Sequence, residues 1–574
     1  MFETAELGRT MPKAMYKKNE MALRQELLEL QVRLREIDHS QVILVFAGVD
    51  GAGKGHTVSL LNEWMDPRWL TTCAFDEPAD VERERPEFWR YWLALPPRGR
   101  IGLFLGSWYS KPVLDHVYGR TDDKEFDRRL DRIIAFERAL ADDEAVIVKF
   151  WMHLSREAQK TRLKNLEAEP LERARVTDRD WRHWEMYDDF VKSAERVIMR
   201  TSTGAAPWHI VEGVDPYYRS MMIGTTLRDT LRRRIDEIEL DARIKQQLKA
   251  PTTEEPEAPA GPGKSAPKKS KVKSKHGKKV KPASRVPDPG QPAESPDAQA
   301  PAAAQELKPV TVLSQLDMSK SLTKAEYTER LREQQAKLHL FHRETRDRGI
   351  STILVFEGPD AAGKGGAIRR LNAAFDARNY QVHGFSAPTD EERAQHYLWR
   401  FWRHLSRAGR ISTFDRSWYG RVLVERVEGF ATENEWRRAY AEINDFESQL
   451  IEHGIVLVKY WVHVSNEEQL ERFRQRELTP YKRWKITEED WRNRGKWDEY
   501  DLAVNDMVQY TSTYDAPWTL VEGNDKRYAR VKVLETLCAR MEKALEKTRA
   551  NAAESASGGS EAGLDPVAPS SSFG

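Results

Sequence analysis

The chain has 574 residues, enough for two or more domains, and 40% of them are hydrophobic, which is typical of a globular protein. Its formal net charge of +1 provides no overall field that would favour nucleic acid or an anionic membrane as a partner. Two cysteines, Cys73 and Cys538, argue against a disulfide scaffold and fit a reducing compartment. Because no apolar run is long enough for a membrane span or a signal peptide, we expect a soluble cytoplasmic protein.

The first predicted strand leads into a glycine-rich loop, LVFAGVDGAGKG at 44–55, and nearly the same stretch returns 310 residues later as LVFEGPDAAGKG at 354–365. The offset holds without net gaps through later segments. For example, SWY occurs at 107–109 and 417–419, and VKFWMHLS at 148–155 returns as VKYWVHVS at 458–465. A repeat of this length indicates a duplicated domain and not a short solenoid unit.

Between the two repeats, the chain is rich in Pro, Ala, Lys, Ser and Glu and has almost no large apolar side chains. Such a segment cannot bury enough surface to offset the entropy lost on ordering. We therefore predict a first domain at 1–245, a disordered linker at 246–312, a second domain at 313–548 and a disordered tail at 549–574. Nine lysines at 264–281 make part of the linker either a solvated, self-repelling tether or an arm that binds a polyanion.

In the second repeat, strands and helices alternate along the chain. The predicted strands are STILVFEG (351–358), RISTFD (410–415), IVLVKYWV (455–462) and WTLVEG (518–523), and the predicted helices are 366–375, 433–454 and 465–477. This alternation predicts an α/β fold in which a parallel sheet has helices on both faces. A ligand should therefore bind at the carboxyl ends of the strands.

The loop of the second repeat is close to the P-loop (Walker A) pattern G-x-x-x-x-G-K-[ST]. Gly358, Gly363 and Lys364 stand in the expected places, whereas Gly365 replaces the hydroxyl residue that normally holds Mg²⁺. A strand before the loop and a helix after it give the structural context that a P-loop requires. We predict that backbone N–H groups, the helix N-terminus and the Lys364 ammonium bind phosphate here.

Two acidic residues are candidates to replace the missing metal ligand. Asp360 lies inside the loop, where a carboxylate either caps its own turn or meets a cation, and Mg²⁺ binds hard oxygen ligands of this kind. Asp415 ends the strand RISTFD at the Walker B position, where a strand-end Asp meets the metal. The segment DRSWYGR, 415–421, also supplies Arg416 and Arg421 as candidate phosphate ligands, while its two aromatic residues are expected to pack in the core.

A basic region follows where nucleotide kinases have a lid that closes over phosphates. It is either a solvated helix face or a lid, and its charge exceeds what one nucleotide needs, so we predict a longer phosphate chain as its partner. The candidate lid residues are Arg472, Arg476, Lys482, Arg483, Arg492, Arg494 and Lys496.

Taken together, G-x-D-x-x-G-K-G, D-R-S-W-Y-x-R and the closing DKRYAR at 525–530 resemble the polyphosphate kinase 2 family. The tandem arrangement is similar to its class II, the polyphosphate:AMP phosphotransferases, and the resemblance covers roughly 15–240 and 320–545. It implies a P-loop fold similar to thymidylate kinase, with a lid, and Mg²⁺-dependent transfer of a phosphoryl group from inorganic polyphosphate to AMP, giving ADP.

The resemblance also assigns roles by matching position. Asp360 and Asp415 would be metal ligands, and the lid cations would contact the polyphosphate chain. Lys364, Arg416 and Arg421 would bind phosphate. The closing motif would contribute Asp525, Lys526 and Arg530.

The two repeats are not chemically equivalent. Where the second repeat has FDRSWYGR, the first has FLGSWYSK, so Leu105 replaces Asp415 and Gly106 replaces Arg416. We predict that the second repeat catalyses. The first repeat would be a degenerate partner, so that one chain forms a pseudo-dimer, and a higher homo-oligomer is also possible. The first repeat keeps Asp50 and Lys54, and whether these still bind phosphate is open.

Two rival functions share some of these features. An ATP-dependent nucleoside monophosphate kinase would use the same loop, lid and Mg²⁺, but Gly365, Asp360 and the cation-rich lid speak against it. A non-catalytic polyanion-binding protein would explain the lysine-rich linker but not the two acids. The residues contain no pattern that separates adenine from guanine.

Overall fold

The computed structural model describes residues 1–170, 173, 176–249, 310–479 and 486–557. Both repeats belong to one compact unit, Met1–Glu237 together with Thr311–Gly574. The second unit is Ile238–Val310, of which the structure describes the end of one helix and Val310. Most of the predicted linker and tail, 250–309 and 558–574, therefore lies outside the described residues.

The first repeat contains a five-stranded sheet in which every pairing is parallel and the strand order is β2-β3-β1-β4-β5. Its strands are β1 (Val42–Gly48), β2 (Leu70–Ala74), β3 (Ile101–Leu105), β4 (Val146–His153) and β5 (Trp208–Glu212). Its helices are α1 (Lys13–Ile37), α2 (Lys54–Trp64), α3 (Asp80–Arg83), α4 (Trp89–Ala94), α5 (Ser110–Val117), α6 (Asp123–Asp142), α7 (Arg156–Ala168), α8 (Asp178–Glu185), α9 (Tyr187–Thr201) and α10 (Pro216–Lys249).

The second repeat has the same parallel sheet, with the order β7-β8-β6-β9-β10. Its strands are β6 (Thr352–Glu357), β7 (Tyr380–Gly384), β8 (Ile411–Asp415), β9 (Val456–His463) and β10 (Trp518–Glu522). Its helices are α11 (Lys324–Asp347), α12 (Lys364–Asn372), α13 (Asp390–Arg393), α14 (Trp399–Trp402), α15 (Val424–Val427), α16 (Glu433–Glu452), α17 (Asn466–Leu478), α18 (Glu488–Gly495), α19 (Trp497–Thr511) and α20 (Lys526–Ser557). The predicted α/β fold with tandem parallel sheets is confirmed.

Local signals in the sequence account for most of these elements. Ser465 caps α17, as its position before an acidic first turn predicted, by accepting a hydrogen bond from the Glu468 amide at 3.3 Å. The edge strand β7 was not predicted because three of its five residues are exposed, so it has no apolar run. Helix α20 continues to Ser557, past the predicted start of the tail at 549, because 549–557 is rich in alanine.

The aromatic pair of the SWY segment packs in the core, as expected, around a buried ion pair. Trp418 Nε1 and Tyr419 Oη donate to Glu447 Oε1 at 3.0 and 2.6 Å, and Lys459 Nζ donates to Glu447 Oε2 at 2.6 Å. All four side chains are almost completely buried. The first repeat builds the same cluster from Trp108, Tyr109, Glu137 and Lys149. SWY is therefore retained in both repeats for packing and hydrogen bonding of the core.

The two repeats pack directly against each other through α4, α14 and neighbouring residues. The Trp92 and Trp402 rings stack with centroids 6.0 Å apart, and Trp89 Nε1 donates to the Trp402 carbonyl at 3.0 Å. Arg407 of the second repeat donates to both oxygens of Glu84 at 2.7 Å. These contacts agree with the predicted pairing of the repeats within one chain.

None of the helices in the described part of the chain combines the length and the apolar character that a transmembrane segment needs.

Candidate active site

The glycine-rich loop of the second repeat joins the central strand β6 to α12. Gly358 has φ +147°, and a Cβ there would lie 2.4 Å from the Val462 carbonyl oxygen, so only glycine fits. Gly363, with φ +116°, precedes the first residue of α12, Lys364. The Lys364 Nζ donates to the carbonyl oxygens of Gly358 at 2.5 Å and Pro359 at 3.3 Å, which holds the ammonium against the loop. The arrangement combines a helix N-terminus with a fixed cation, as an anion site requires.

Arg472 supports this loop from the protein interior. Its guanidinium donates to the carbonyl oxygens of Ala361 (3.0 Å), Ala362 (2.8 Å), Gly523 (2.6 Å) and Asn524 (2.8 Å). The side chain is only 3% exposed. The sequence grouped Arg472 with the lid cations, but in the structure its hydrogen bonds tie the loop to the end of β10.

Asp360 is held by basic and amide side chains at the front of the loop. Its Oδ1 accepts a hydrogen bond from Arg416 at 3.0 Å, and its Oδ2 accepts one from Asn493 Nδ2 at 3.1 Å. Burial by itself would raise the pKa of Asp360, but the charges of Lys364 and Arg416 and the hydrogen bond from Asn493 hold that pKa below its usual value. Asp360 is therefore ionised at neutral pH. Asn493 was missed by sequence reasoning because a single amide among many charged residues carries no pattern.

Asp415 ends β8, directly opposite Phe356 in the register with β6, and is thus beside the strand that leads into the loop. Among the described residues, no three His, Cys, Asp or Glu side chains form a metal-binding group. Two carboxylates are nevertheless what Mg²⁺ commonly takes from a protein when phosphates and water supply its other ligands. Each Asp360 oxygen accepts one recorded hydrogen bond, and a carboxylate oxygen has a further lone pair, so the donor set fits such a metal.

Glu357, the last residue of β6, is a further acid that the sequence did not identify as functional. It is 5% exposed, and its Oε1 accepts hydrogen bonds from the Ser417 amide and hydroxyl, both at 2.7 Å. Burial raises the pKa of Glu357, against the opposing effects of Ser417, Lys364 and Arg416. The sequence feature that could have identified Glu357 is an acid at the end of an apolar strand, where the first repeat has Ala47.

Arg416 adopts a backbone conformation that is unusual for its residue type. Its φ is +66°, in the left-handed region, where a residue with a Cβ is strained. The first repeat has Gly106 at the matching position, with φ +69°. The same turn is therefore built in both repeats, and only the second accepts backbone strain in order to present a guanidinium to Asp360.

Arg421 is held by two acids and an aromatic ring. Its Nε lies 3.1 Å from Glu425 Oε2 and its Nη1 lies 3.6 Å from Glu435 Oε1. The guanidinium carbon is 4.6 Å from the centroid of the Tyr397 ring. Arg421 is thus oriented by protein groups on three sides.

Predicted cations of the lid and of the closing motif meet at a cavity of about 280 Å³ beside α12. An added Cβ on Gly366 would lie 3.4 Å from the Arg530 guanidinium, which shows how closely this side chain approaches the loop helix. Among the described residues that line the cavity, none is aromatic. Its basic lining residues are Arg369, Arg472, Arg476, Lys526 and Arg530. The remaining residue of the closing motif, Asp525, instead accepts a hydrogen bond from the Tyr528 amide at 2.6 Å, at the start of α20.

The other described lid cations bind protein groups. Arg492 and Lys496 approach Glu428 Oε2 at 3.0 and 3.2 Å. Arg494 donates to the Asn466 carbonyl at 2.7 Å. The structure thus brings α18 against α15 and α17 and does not gather these cations in the 280 Å³ cavity. Two further predicted lid residues, Lys482 and Arg483, lie outside the described residues.

The retained acid of the first repeat is bound differently. Asp50 Oδ2 lies 2.6 Å from His183 Nδ1, and Asp50 Oδ1 lies 3.5 Å from Lys54 Nζ. Burial opposes ionisation of Asp50, but Lys54 and His183 lower its pKa to about 2. His183 stands where the second repeat has Asn493, and the first repeat has no arginine at the Arg416 position.

At the place in the first repeat that matches the cation-lined cavity, the side chain of Arg219 lies against the glycine loop. The Arg219 guanidinium donates to the Gly213 carbonyl at 2.7 Å and lies 3.4 Å from His56 Nδ1. A Cβ on Gly53 would be 2.5 Å from the Arg219 guanidinium carbon. The matching positions of the second repeat carry Ala529 for Arg219 and Gly366 for His56, and there Arg472 donates to the matching carbonyl oxygens of Ala362 and Gly523 instead.

A parallel sheet whose central strand leads through a glycine loop into a helix that begins with lysine defines the P-loop kinase class of α/β proteins. Within this class, the model of the polyphosphate kinase 2 (PPK2) family matches residues 10–238 and 321–549, so the chain belongs to that family.

Full-length relatives match almost the whole chain. A Pseudomonas aeruginosa protein named polyphosphate:AMP phosphotransferase is 46% identical over 549 residues, which are 96% of this chain and 100% of that protein. A protein of the same name from Pseudomonas syringae pv. tomato is 44% identical over 552 residues, with 96% and 100% covered. A solved Pseudomonas aeruginosa structure, assigned to polyphosphate kinase 2, matches with a TM-score of 0.77 at 44% identity and covers 95% of this chain and 100% of its own.

Proposed function

We propose that this protein transfers a phosphoryl group from inorganic polyphosphate to AMP, giving ADP, and that the second repeat catalyses the reaction with Mg²⁺. The observation that carries the proposal is the cavity beside α12, which has five basic side chains and, among its described lining residues, no aromatic ring. A kinase that used ATP would need a surface for the adenine base next to its phosphates. A row of cations suits a chain of phosphates instead. The names of the two Pseudomonas relatives support the same pair of substrates.

In this proposal, the donor chain lies along the cation-lined cavity and its terminal phosphate reaches the glycine loop. Arg476, Lys526 and Arg530 would neutralise the phosphates behind the terminal one. Lys364, already held against the loop carbonyls, would contact the terminal phosphate together with the backbone N–H groups.

The acceptor nucleotide is proposed to bind on the side of Arg416 and Arg421. A cavity of about 90 Å³ beside Asp360 is lined by Arg416, Trp461 and Trp497, among others. The arginines would hold the AMP phosphate close to the terminal phosphate of the donor. The new bond forms between an AMP phosphate oxygen and the terminal phosphorus. The bond from that phosphorus to its bridging oxygen breaks, which leaves the chain one phosphate shorter.

Asp360 and Asp415 are the proposed ligands of Mg²⁺, which when bound would neutralise charge on the phosphate oxygens of the reacting groups. The protein groups act by position and charge because phosphoryl transfer needs little covalent help. The AMP phosphate is largely ionised near neutral pH, so we propose no dedicated general base. Loss of turnover with intact metal binding on replacing a single nearby carboxylate would contradict this last point.

The first repeat is proposed to be a structural partner in an intramolecular pseudo-dimer. Leu105 and Gly106 remove the counterparts of Asp415 and Arg416, and Arg219 lies against the loop where the second repeat has Ala529. A cytoplasmic location also stays a prediction. It is supported by Cys73 and Cys538, which are both free thiols, as is usual in a reducing compartment.

The direct test is ADP formation from AMP with polyphosphate as the sole donor. We expect turnover that requires Mg²⁺ and stops on chelation, and little or no turnover when ATP replaces polyphosphate. The phosphate chain should shorten by one unit for each ADP formed. Turnover with ATP alone would favour the nucleoside monophosphate kinase. Polyphosphate binding without any ADP would favour a polyanion-binding protein.

Replacing Arg530 by serine, the residue of the first repeat at this position, should weaken the use of the donor chain. Losing one charge-assisted phosphate contact should raise the KM for polyphosphate about tenfold, with a smaller change in kcat. The exposed Lys547 on the same helix is the matched control, and Lys547→Ser should leave both constants unchanged. An unchanged KM for polyphosphate in Arg530→Ser would remove the cavity from the donor path.

A further inference from the structure

Part of the second repeat close to Arg421 is held by the first repeat. The Arg98 amide donates to the Ala394 carbonyl at 2.9 Å across the interface. The Trp92 ring lies 5.2 Å from the ring of His396, which is completely buried. The next residue along the chain is Tyr397, whose ring lies against the Arg421 guanidinium. The first repeat therefore contacts the residue next to Tyr397, whose ring supports a proposed phosphate ligand.

Glu442 on α16 connects this segment to a second contact between the repeats. Its Oε2 lies 3.6 Å from His396 Nε2, and its Oε1 accepts a hydrogen bond from Arg438 Nε at 3.0 Å. Arg438 also donates to Asp143 Oδ1 of the first repeat at 2.9 Å. Glu442 and Asp143 are each only 7% exposed at the side chain. A carboxylate buried to this degree is oriented by its partners, because water cannot replace them.

Glu442 also affects the ionisation of the Tyr397 hydroxyl. Burial and then the charge of Glu442 raise the pKa of the Tyr397 hydroxyl well above its ordinary value. Burial opposes ionisation of Glu442, but His396 and Arg438 hold its pKa below the usual value. Glu442 is therefore a charged group 3.6 Å from His396, the chain neighbour of the tyrosine whose ring lies against Arg421.

The first repeat builds the matching place from different residues. Where the second repeat has His396, Tyr397 and Glu442, the first has Pro86, Glu87 and Arg132, and Arg132 pairs across the interface with Glu452. The combination of a buried histidine, a tyrosine ring and a buried carboxylate therefore occurs at this place in the second repeat and not in the first.

We propose that Glu442 is a positioning residue for Arg421 and that the first repeat acts on the active site through it, because Asp143 orients Arg438 against Glu442. The inference rests on the proposed role of Arg421 in phosphate binding. It gives the first repeat a part in turnover without any chemistry of its own. The expected size of the effect is large for a distant contact, because a displacement of about 1 Å in a phosphate ligand can cost up to about 100-fold in rate.

The first measurement compares Glu442→Gln with Glu452→Gln. Glu452 lies on the same helix and pairs across the same interface with Arg128 and Arg132, but its recorded partners do not include the groups around Arg421. Glutamine keeps the shape of either side chain. We expect Glu442→Gln to lower kcat/KM about tenfold and Glu452→Gln to change it less than twofold, with thermal unfolding used to confirm that both variants are folded at the assay temperature. Equal losses in the two variants would mean that Glu442 only stabilises the interface and would overturn the proposal.

The second measurement is a double-mutant cycle with Arg421→Lys, which keeps a cation, as the first repeat does with Lys111. Because Glu442 is proposed to act through Arg421, Glu442→Gln should change kcat/KM by less than about twofold in the lysine background. Additive losses would overturn the inference. Should Glu442→Gln not fold, Asp143→Asn takes its place in the same cycle, with the same expected non-additivity.

The two proposals fail in different ways. Wild-type protein that makes no ADP from AMP and polyphosphate contradicts the proposed function. The cycle can then be measured with whichever donor the wild type uses. Wild-type turnover together with additive losses contradicts the positioning role of Glu442 alone.

Discussion

Lys364→Ala is expected to reduce polyphosphate-dependent ADP formation by about 10³-fold, to the limit of detection. The ammonium is held against the start of the loop, with Nζ 2.5 Å from the Gly358 carbonyl oxygen. The neighbouring Arg472 is engaged with the carbonyl oxygens of Ala361 and Gly523, and is therefore not placed to substitute for it. The measurement is kcat/KM for AMP at saturating polyphosphate, with the folded state checked by thermal unfolding.

The matched control is Lys54→Ala in the first repeat. Lys54 donates to the carbonyl oxygens of Gly48 and Val49 at 2.8 and 2.9 Å, so it holds the same pose in its own loop. We expect this variant to keep most of the wild-type activity because the first repeat has Leu105 and Gly106 at the positions of Asp415 and Arg416. If Lys54→Ala were inactive and Lys364→Ala active, catalysis would have been assigned to the wrong repeat.

Arg416→Gly is expected to abolish turnover without destabilising the protein. Loss of the guanidinium should lower kcat/KM by about 10²- to 10³-fold, because it removes a charge beside Asp360 and the reacting phosphates. The substitution also removes backbone strain. The φ of Arg416 is +66°, and glycine adopts this conformation without the strain of about 1–2 kcal/mol that other residues carry. The free energy of unfolding, measured with urea, should therefore stay within about 1 kcal/mol of the wild type.

Arg416→Ala separates strain from chemistry. It removes the same ion pair with Asp360 but keeps the left-handed strain, so it should be as inactive as Arg416→Gly and about 1 kcal/mol less stable. Equal stability of the two variants would show that the turn is not strained. Wild-type activity in Arg416→Gly would remove this residue from the phosphate site.

Several parts of the molecule could be predicted because neighbours in the chain decide them. The 310-residue repeat, the glycine loop and the strand before it are written in local patterns of apolar residues and glycines. Asp415 was predicted to lie near the loop because carboxyl ends of neighbouring parallel strands meet at one edge of the sheet, and it pairs with Phe356 there. The alignment of the two repeats also shows that Leu105 and Gly106 replace Asp415 and Arg416 in the first repeat.

Other parts depend on residues that are distant in the sequence and meet only in the folded chain. Arg472 was grouped with the lid because of its charge. In the folded chain its guanidinium instead donates to the Gly523 and Asn524 carbonyls and lies under the loop. Asn493 carries no local pattern, and the acid that ends β6, Glu357, gives no indication in the sequence of its partner. Their hydrogen bonds with Asp360 and Ser417 form only in the folded chain.

The sequence by itself determined the duplicated α/β architecture and identified candidate acids and cations in the second repeat, because periodicity and motif spacing are local properties. Only the tertiary structure decided which cations share a cavity, which of them support the loop, and how the first repeat reaches Arg421. The physical reason is that the sequence gives the charge of a side chain but not the group toward which that side chain points. Packing and burial determine whether a guanidinium meets a carbonyl, a carboxylate or an open cavity.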